Sequence, residues 1–153
     1  MTREPGGGMR DQLIEGERDG LVLSTDRSRI DVAGVLEMLL ASHWGGALTR
    51  ERLERAIENS VCVGVYDGSE QLGFARVVTD LATYAYLTDV IVAEPARGRG
   101  IGSWMVEAII GHPDLLGLRR IALFTRDARA LYERYGFTTE PPKSVYMELR
   151  TRR

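Results

Sequence analysis

The sequence predicts a single α/β (α+β) layered domain with a mixed sheet, and three observations carry that prediction. Apolar residues switch repeatedly between the two-residue spacing of strands and the three-to-four-residue spacing of helices. A long, almost wholly apolar strand runs straight into a glycine-spaced turn that opens a helix. The length, 153 residues, suits one compact core and hardly two.

Residues 1–16 hold Pro5-Gly6-Gly7-Gly8 and mixed charges, a composition that predicts a flexible tail. The domain is expected over 17–150, with 151–153 as a second tail. Leu21 to Leu23 reads as a short strand. Ile30, Val32, Val35, Leu36, Leu39 and Leu40 recur at helical spacing. Thr49 is the expected N-cap of a second helix whose apolar stripe is Leu53, Ala56 and Ile57. Val61 to Tyr66, the turn Asp67-Gly68, and Leu72 to Thr79 predict a hairpin.

Tyr84 to Val92 is apolar on both faces except for Thr88 and Asp89, the pattern of a buried central strand. Ile101 to Ile110 predicts a helix stopped near Gly111-His112-Pro113. Arg120 to Thr125 is the next strand. Ala128, Leu131, Tyr132 and Tyr135 share a helical face that Gly136 can cap, and Val145 to Leu149 is expected as a last strand.

Composition narrows the function classes. The formal charge of −2 gives no overall electrostatic reason to bind nucleic acid. A single cysteine, Cys62, allows neither an internal disulfide nor a cysteine metal site, and none is expected. No signal-like block and no apolar run approaching the ~20 residues of a membrane span is visible, so a cytoplasmic protein is expected.

The most specific segment is Asp89 to Trp104. Its glycines, Gly98, Gly100 and Gly102, let the backbone adopt positive φ and approach a ligand closely. The amides at the following helix start suit a phosphate or pyrophosphate. Two familiar phosphate motifs fail here. The dinucleotide fingerprint needs glycine where Ser103 stands, and the Walker pattern needs a lysine that this turn lacks. The match is to Arg/Gln-x-x-Gly-x-Gly/Ala, through Arg97, Gly100 and Gly102.

That pattern after a Val-x-Val strand end resembles the GCN5-related N-acetyltransferase (GNAT) superfamily. Ile121 to Phe137, with Leu131-Tyr132-Glu133 and Gly136-Phe137, looks like the same family's strand-then-helix, and Gly73-Phe74-Ala75-Arg76 looks like its third strand. The resemblance covers roughly Leu21 to Leu149. It implies a mixed, mostly antiparallel central sheet flanked by helices, with acetyl-CoA as co-substrate and no metal.

It also implies roles. Val90, Ile91 and Val92 would offer backbone groups to the pantetheine arm, and Gly98, Arg99, Gly100, Ile101, Gly102 and Ser103 would wrap the pyrophosphate. Arg97 and Arg99 would add charge there, or simply stand in solvent. Tyr132 matches the tyrosine that protonates the departing thiolate; a phenol stays protonated at neutral pH and can reach a sulfur. Its alternative is plain packing, which is expected of Tyr135. Asp89 is expected to anchor the amine or serve with water as a base, or else to pair with Arg76. Asp80 is a weaker substitute for it. His43, Trp44 and Tyr86, with Tyr84, are candidates for the acceptor pocket.

The leading expectation is direct acetyl transfer to a primary amine of a small molecule through a ternary complex, without a covalent Cys62 intermediate. A non-catalytic acyl-CoA sensor and a protein or peptide N-acetyltransferase stay open as alternatives. A homodimer, with Val145 to Leu149 as an exchange element, also remains open.

Overall fold

A computed structural model describes residues 11–42, 46–139 and 145–151. The strands are β1 (Glu15–Arg18), β2 (Leu21–Ser24), β3 (Val61–Asp67), β4 (Glu70–Thr79), β5 (Tyr84–Val92) and β6 (Arg120–Leu123). The helices are α1 (Val32–Ala41), α2 (Arg50–Glu58), α3 (Ile101–Ile110) and α4 (Arg129–Glu133). All six strands form one sheet in sequential order, and every neighbouring pair is antiparallel except the parallel β5–β6 pair. The mixed, mostly antiparallel sheet with flanking helices is the architecture expected.

Local chemistry sets the element ends. The Asp31 side chain accepts from the Gly34 amide and starts α1, and Thr49 accepts from the Arg52 amide and starts α2. Strand alternation then sorts the core onto two faces. Val61, Val63 and Val65 of β3, Ala75 and Val77 of β4, and Ala85 and Leu87 of β5 pack with α3 and Tyr132 of α4. Cys62 and Phe74 face the other way, against Val35 and Leu39 of α1 and Leu53 and Ile57 of α2. Gly73 lets α3 sit close to the sheet, because a Cβ there would lie 2.9 Å from Ile101 Cγ2.

Two expectations fail. β1 begins inside the stretch read as a tail, and residues 11–14 are tied down before it. Ile14 accepts from the Thr25 amide, and the Gln12 carbonyl lies 3.1 Å from Nε2 of the buried His112. Asp114 closes the tie: its carboxylate accepts from the Gln12 amide and its amide donates to His112 Nδ1. Asp11 forms an ion pair with Arg27, and its side chain is buried. β1 is short and polar with a single part-buried residue, so it carries no apolar alternation to read.

The second failure is at 145–149, which has no ladder partner among the described residues. Val145, Met147 and Leu149 stand almost fully exposed, so the alternation is present without a sheet edge to bury it. Among the described residues no helix is long and apolar enough to cross a membrane.

Candidate active site

The site is built where β5 and β6 part. Their parallel pairing runs from Tyr84–Arg120 to Leu87–Leu123 and stops there. From Thr88 to Val92 that edge of β5 has no ladder partner among the described residues. The gap is a fork with main-chain groups along one side.

The other edge of β5 is irregular at the same place. β4 pairs Phe74 with Ile91 and Arg76 with Thr88, so two β5 residues, Asp89 and Val90, oppose the single residue Ala75. This is a β-bulge, and Asp89 takes the left-handed φ of +54° within it. The extra residue resets the alternation. Ala85 and Leu87 face α3 before it and Val90 and Val92 after it, while Ile91 turns to the α1–α2 core. A sheet strand apolar on both faces thus contains a kink invisible in its composition.

Aspartate tolerates the left-handed region better than most residues, yet the conformation still costs about 1–2 kcal/mol. It is held by Arg76, whose Nε donates to Asp89 Oδ2 at 2.9 Å and whose Nη1 donates to Ser60 Oγ at 3.2 Å. Both charged side chains are mostly buried, at 17% and 20% exposure. Asp89 is therefore an ion-paired residue, the alternative to the anchor-or-base role.

Beyond β5 the chain turns through Arg97 to Gly100. Gly98 (φ +82°) and Gly100 (φ +77°) both adopt left-handed conformations, and Gly100 is the N-cap of α3. No side chain caps this helix. The amides of Ile101, Gly102 and Ser103, in its first turn, lack intrahelical acceptors, and they carry the positive end of its dipole. The Ile101 side chain is buried in the core, so only its main chain can serve a ligand. Gly102 has ordinary helical geometry and room for a Cβ, whose closest neighbour would be Val92 Cγ2 at 3.9 Å. The fold itself does not require glycine there.

Arg97 donates from Nε to the Val92 carbonyl at 3.3 Å, fastening the turn to the end of β5. Arg99 is exposed. Arg134, which sequence reasoning passed over, reaches Ser103 Oγ at 3.4 Å and adds a second cation over the α3 start. Its only sequence signal was a position one turn beyond Leu131.

Tyr132 is buried on the α3 face, with its ring edge-on to Phe137 at 5.7 Å. Burial pushes its phenol above the usual value. Its hydroxyl makes no hydrogen bond within the described residues. Tyr135 differs: its hydroxyl donates to Glu107 Oε1 at 2.9 Å, tying the turn after α4 to α3. That bond, with one from Arg18, lowers the Glu107 carboxyl.

On the opposite face, Tyr86 meets Phe124, another residue missed in the sequence, edge to face at 6.1 Å. Asp80 caps an exposed turn through the Ala82 and Thr83 amides and the Thr83 hydroxyl, which hold its carboxyl below the usual range. Cys62 is fully buried, and burial pushes its thiol up to about 12. His43 and Trp44 lie outside the described residues.

Comparison with known proteins agrees with this geometry. Residues 58–139 match the model of the acetyltransferase (GNAT) domain. A Gibberella zeae protein named as an acetyltransferase is 32% identical over 139 residues, covering 75% of this chain and 77% of that one. A crystal structure from Xanthomonas campestris pv. campestris, described as an acetyltransferase of the GNAT family, is 38% identical. It superposes with a TM-score of 0.79 over 87% of this chain and 96% of that one. An acetyltransferase from Clostridium acetobutylicum, solved with acetyl-CoA, shares the fold alone, at 13% identity and a TM-score of 0.60 over 91% and 96%. The forked sheet, the glycine turn before an uncapped helix and these matches lead to one assignment: the chain belongs to the GNAT family of acetyltransferases.

Proposed function

We propose that the protein transfers an acetyl group from acetyl-CoA directly to the primary amine of a small molecule, with both substrates bound together. The observation that carries this reading is the uncapped first turn of α3 behind two left-handed glycines. Three amides and two flanking arginines, Arg97 and Arg134, match the charge and hydrogen-bonding needs of a diphosphate. Gly102 fits the same picture, since a ligand lying against the helix start would explain a missing Cβ that the protein does not demand. From there the fork between β5 and β6 offers a path for the pantetheine arm along Thr88 to Val92.

Acetyl-CoA supplies an activated thioester; the protein's part is to position and to move protons. Main-chain amides at the bulged end of β5 would polarise the thioester carbonyl, and Arg76 would keep them aimed through Asp89. The amine nitrogen forms its bond to the carbonyl carbon as the carbon–sulfur bond breaks. Tyr132 would donate its hydroxyl proton to the departing sulfur and recover one from solvent. Its buried phenol stays protonated at neutral pH, which suits an acid and not a base. The proton lost by the amine goes to water in this reading, because Asp89 is committed to Arg76.

The amine would enter from the α1–α2 face, where Tyr86 and Thr88 stand, opposite the face that holds Tyr132. Cys62 takes no part, as a buried thiol with a pKa near 12 is not a nucleophile at neutral pH.

The experiment is a thiol-release assay with acetyl-CoA and a panel of amines. Acceptor-dependent release of coenzyme A, with intersecting initial-rate lines, is expected. A ping-pong pattern with acylated Cys62 would defeat the direct mechanism, and absence of turnover with every amine would leave coenzyme A binding without transfer.

A further inference from the structure

The α1–α2 face of the fork carries a contiguous row of aromatic rings. Phe124 lies edge-on to Tyr86 and, in the same manner, to Tyr146, at 5.2 Å and 67°. Phe124 is the first residue beyond the last β6 position paired with β5, so it stands at the mouth of the fork. Its neighbour Leu123 packs into the opposite core, as alternation requires. Phe124 and Tyr146 are 60% and 64% exposed. Single exposed apolar residues are ordinary, whereas rings in mutual contact beside a reaction site form a recognition surface. The Tyr146 hydroxyl donates to Glu148 at 2.9 Å, which orients its ring.

The charges on this face point the same way. Asp89 is paired with Arg76, and Glu148 with Arg150 at 2.5 Å. The mostly buried Asp89 is not left over for a polycation or for the extra ammonium groups of an amino sugar, and Glu148 already carries a surface arginine. Aromatic edges and faces, in contrast, attract both a further ring and a cation.

Building on the acyl-transfer reading, we propose that Tyr86, Phe124 and Tyr146 form the acceptor subsite and select a primary amine with an aromatic or bulky apolar body. Phe124 is a specificity-determining residue in this scheme, on the face of the fork opposite the one that holds Leu123 and Tyr132.

The test is calorimetric titration of 2-phenylethylamine, butylamine and spermidine into the protein saturated with coenzyme A. Wild type should bind 2-phenylethylamine about tenfold more tightly than butylamine. Phe124→Ala and Tyr146→Ala should each erase that preference, and Phe124→Tyr should keep it. Equal or tighter binding of butylamine or spermidine would overturn the assignment, as would an aromatic preference that survives both alanine variants. If light scattering finds that Phe124→Ala lowers the assembly mass while amine preference is unmoved, the rings belong to a contact between copies and the subsite is refuted. Failure of coenzyme A to bind would reject the acyl-transfer reading separately, since the same titrations without coenzyme still read the aromatic preference.

Discussion

Arg76 on β4 donates to Asp89 on β5 across the bulge, and Asp89 is the residue of that strand held at positive φ. A strained strand residue and a mostly buried ion pair thus share one side chain. Removal of the cation leaves a carboxylate with little access to water, while the strain remains.

Arg76→Ala should therefore destabilise the fold by on the order of 2 kcal/mol, discounted from a fully buried pair because each side chain keeps some solvent contact. Urea unfolding reads this. Turnover should fall further than lost folding explains, with the acetyl-CoA dissociation constant nearly unchanged, and Arg76→Lys should restore part of it. A variant whose turnover tracks its folded fraction would make the pair purely structural.

Gly102→Ala separates folding from binding. Alanine is the better helix former by up to about 1 kcal/mol, and its Cβ meets open space apart from Val92. The free protein should gain stability in thermal unfolding while coenzyme A binding weakens roughly tenfold or more. Gly100→Ala should lose both, since its φ of +77° strains any side chain.

Tyr132→Phe should reduce turnover about a hundredfold and leave coenzyme A affinity intact. Tyr135→Phe, which loses only the link to Glu107, should have a small effect. The pH profile gives a second reading. An acid must hold its proton, and burial raises this phenol, so the alkaline loss of activity should begin above the ordinary phenol value of about 10. Rates measured from pH 7 to 11 check this; a decline below pH 9 unrelated to unfolding would contradict the assignment.

Gly73→Ala should cost about 1–3 kcal/mol, because the new Cβ would crowd Ile101 at 2.9 Å and Met105 at 3.2 Å. Differential scanning calorimetry should show a lowered midpoint. An unchanged midpoint would mean that α3 shifts away freely.

Much of this was legible in the sequence. β5 and α3 have the limits expected from apolar pattern and glycine punctuation, because both are buried and long enough for periodicity to show. The left-handed turn was readable from Gly98 and Gly100 for the same reason that glycine is needed there. The bulge was not. A central strand is apolar on both faces, so an inserted residue changes no pattern, and Asp89 alone hinted at it. β1 was lost because it is polar, and the residues just before it are held by His112 and Thr25, partners distant along the chain or across a turn. Phe124 and Arg134 escaped because their roles arise from where β6 ends and how α4 docks on α3. The strand expected at 145–149 shows the reverse error, since alternation states what a segment could bury and not whether an edge awaits it.

Titration of coenzyme A into the purified protein, followed by calorimetry, tests the central claim most directly. The account predicts saturable one-site binding that Gly102→Ala weakens and Tyr132→Phe does not. A folded protein that releases no heat with coenzyme A or acetyl-CoA, at two temperatures, would contradict it.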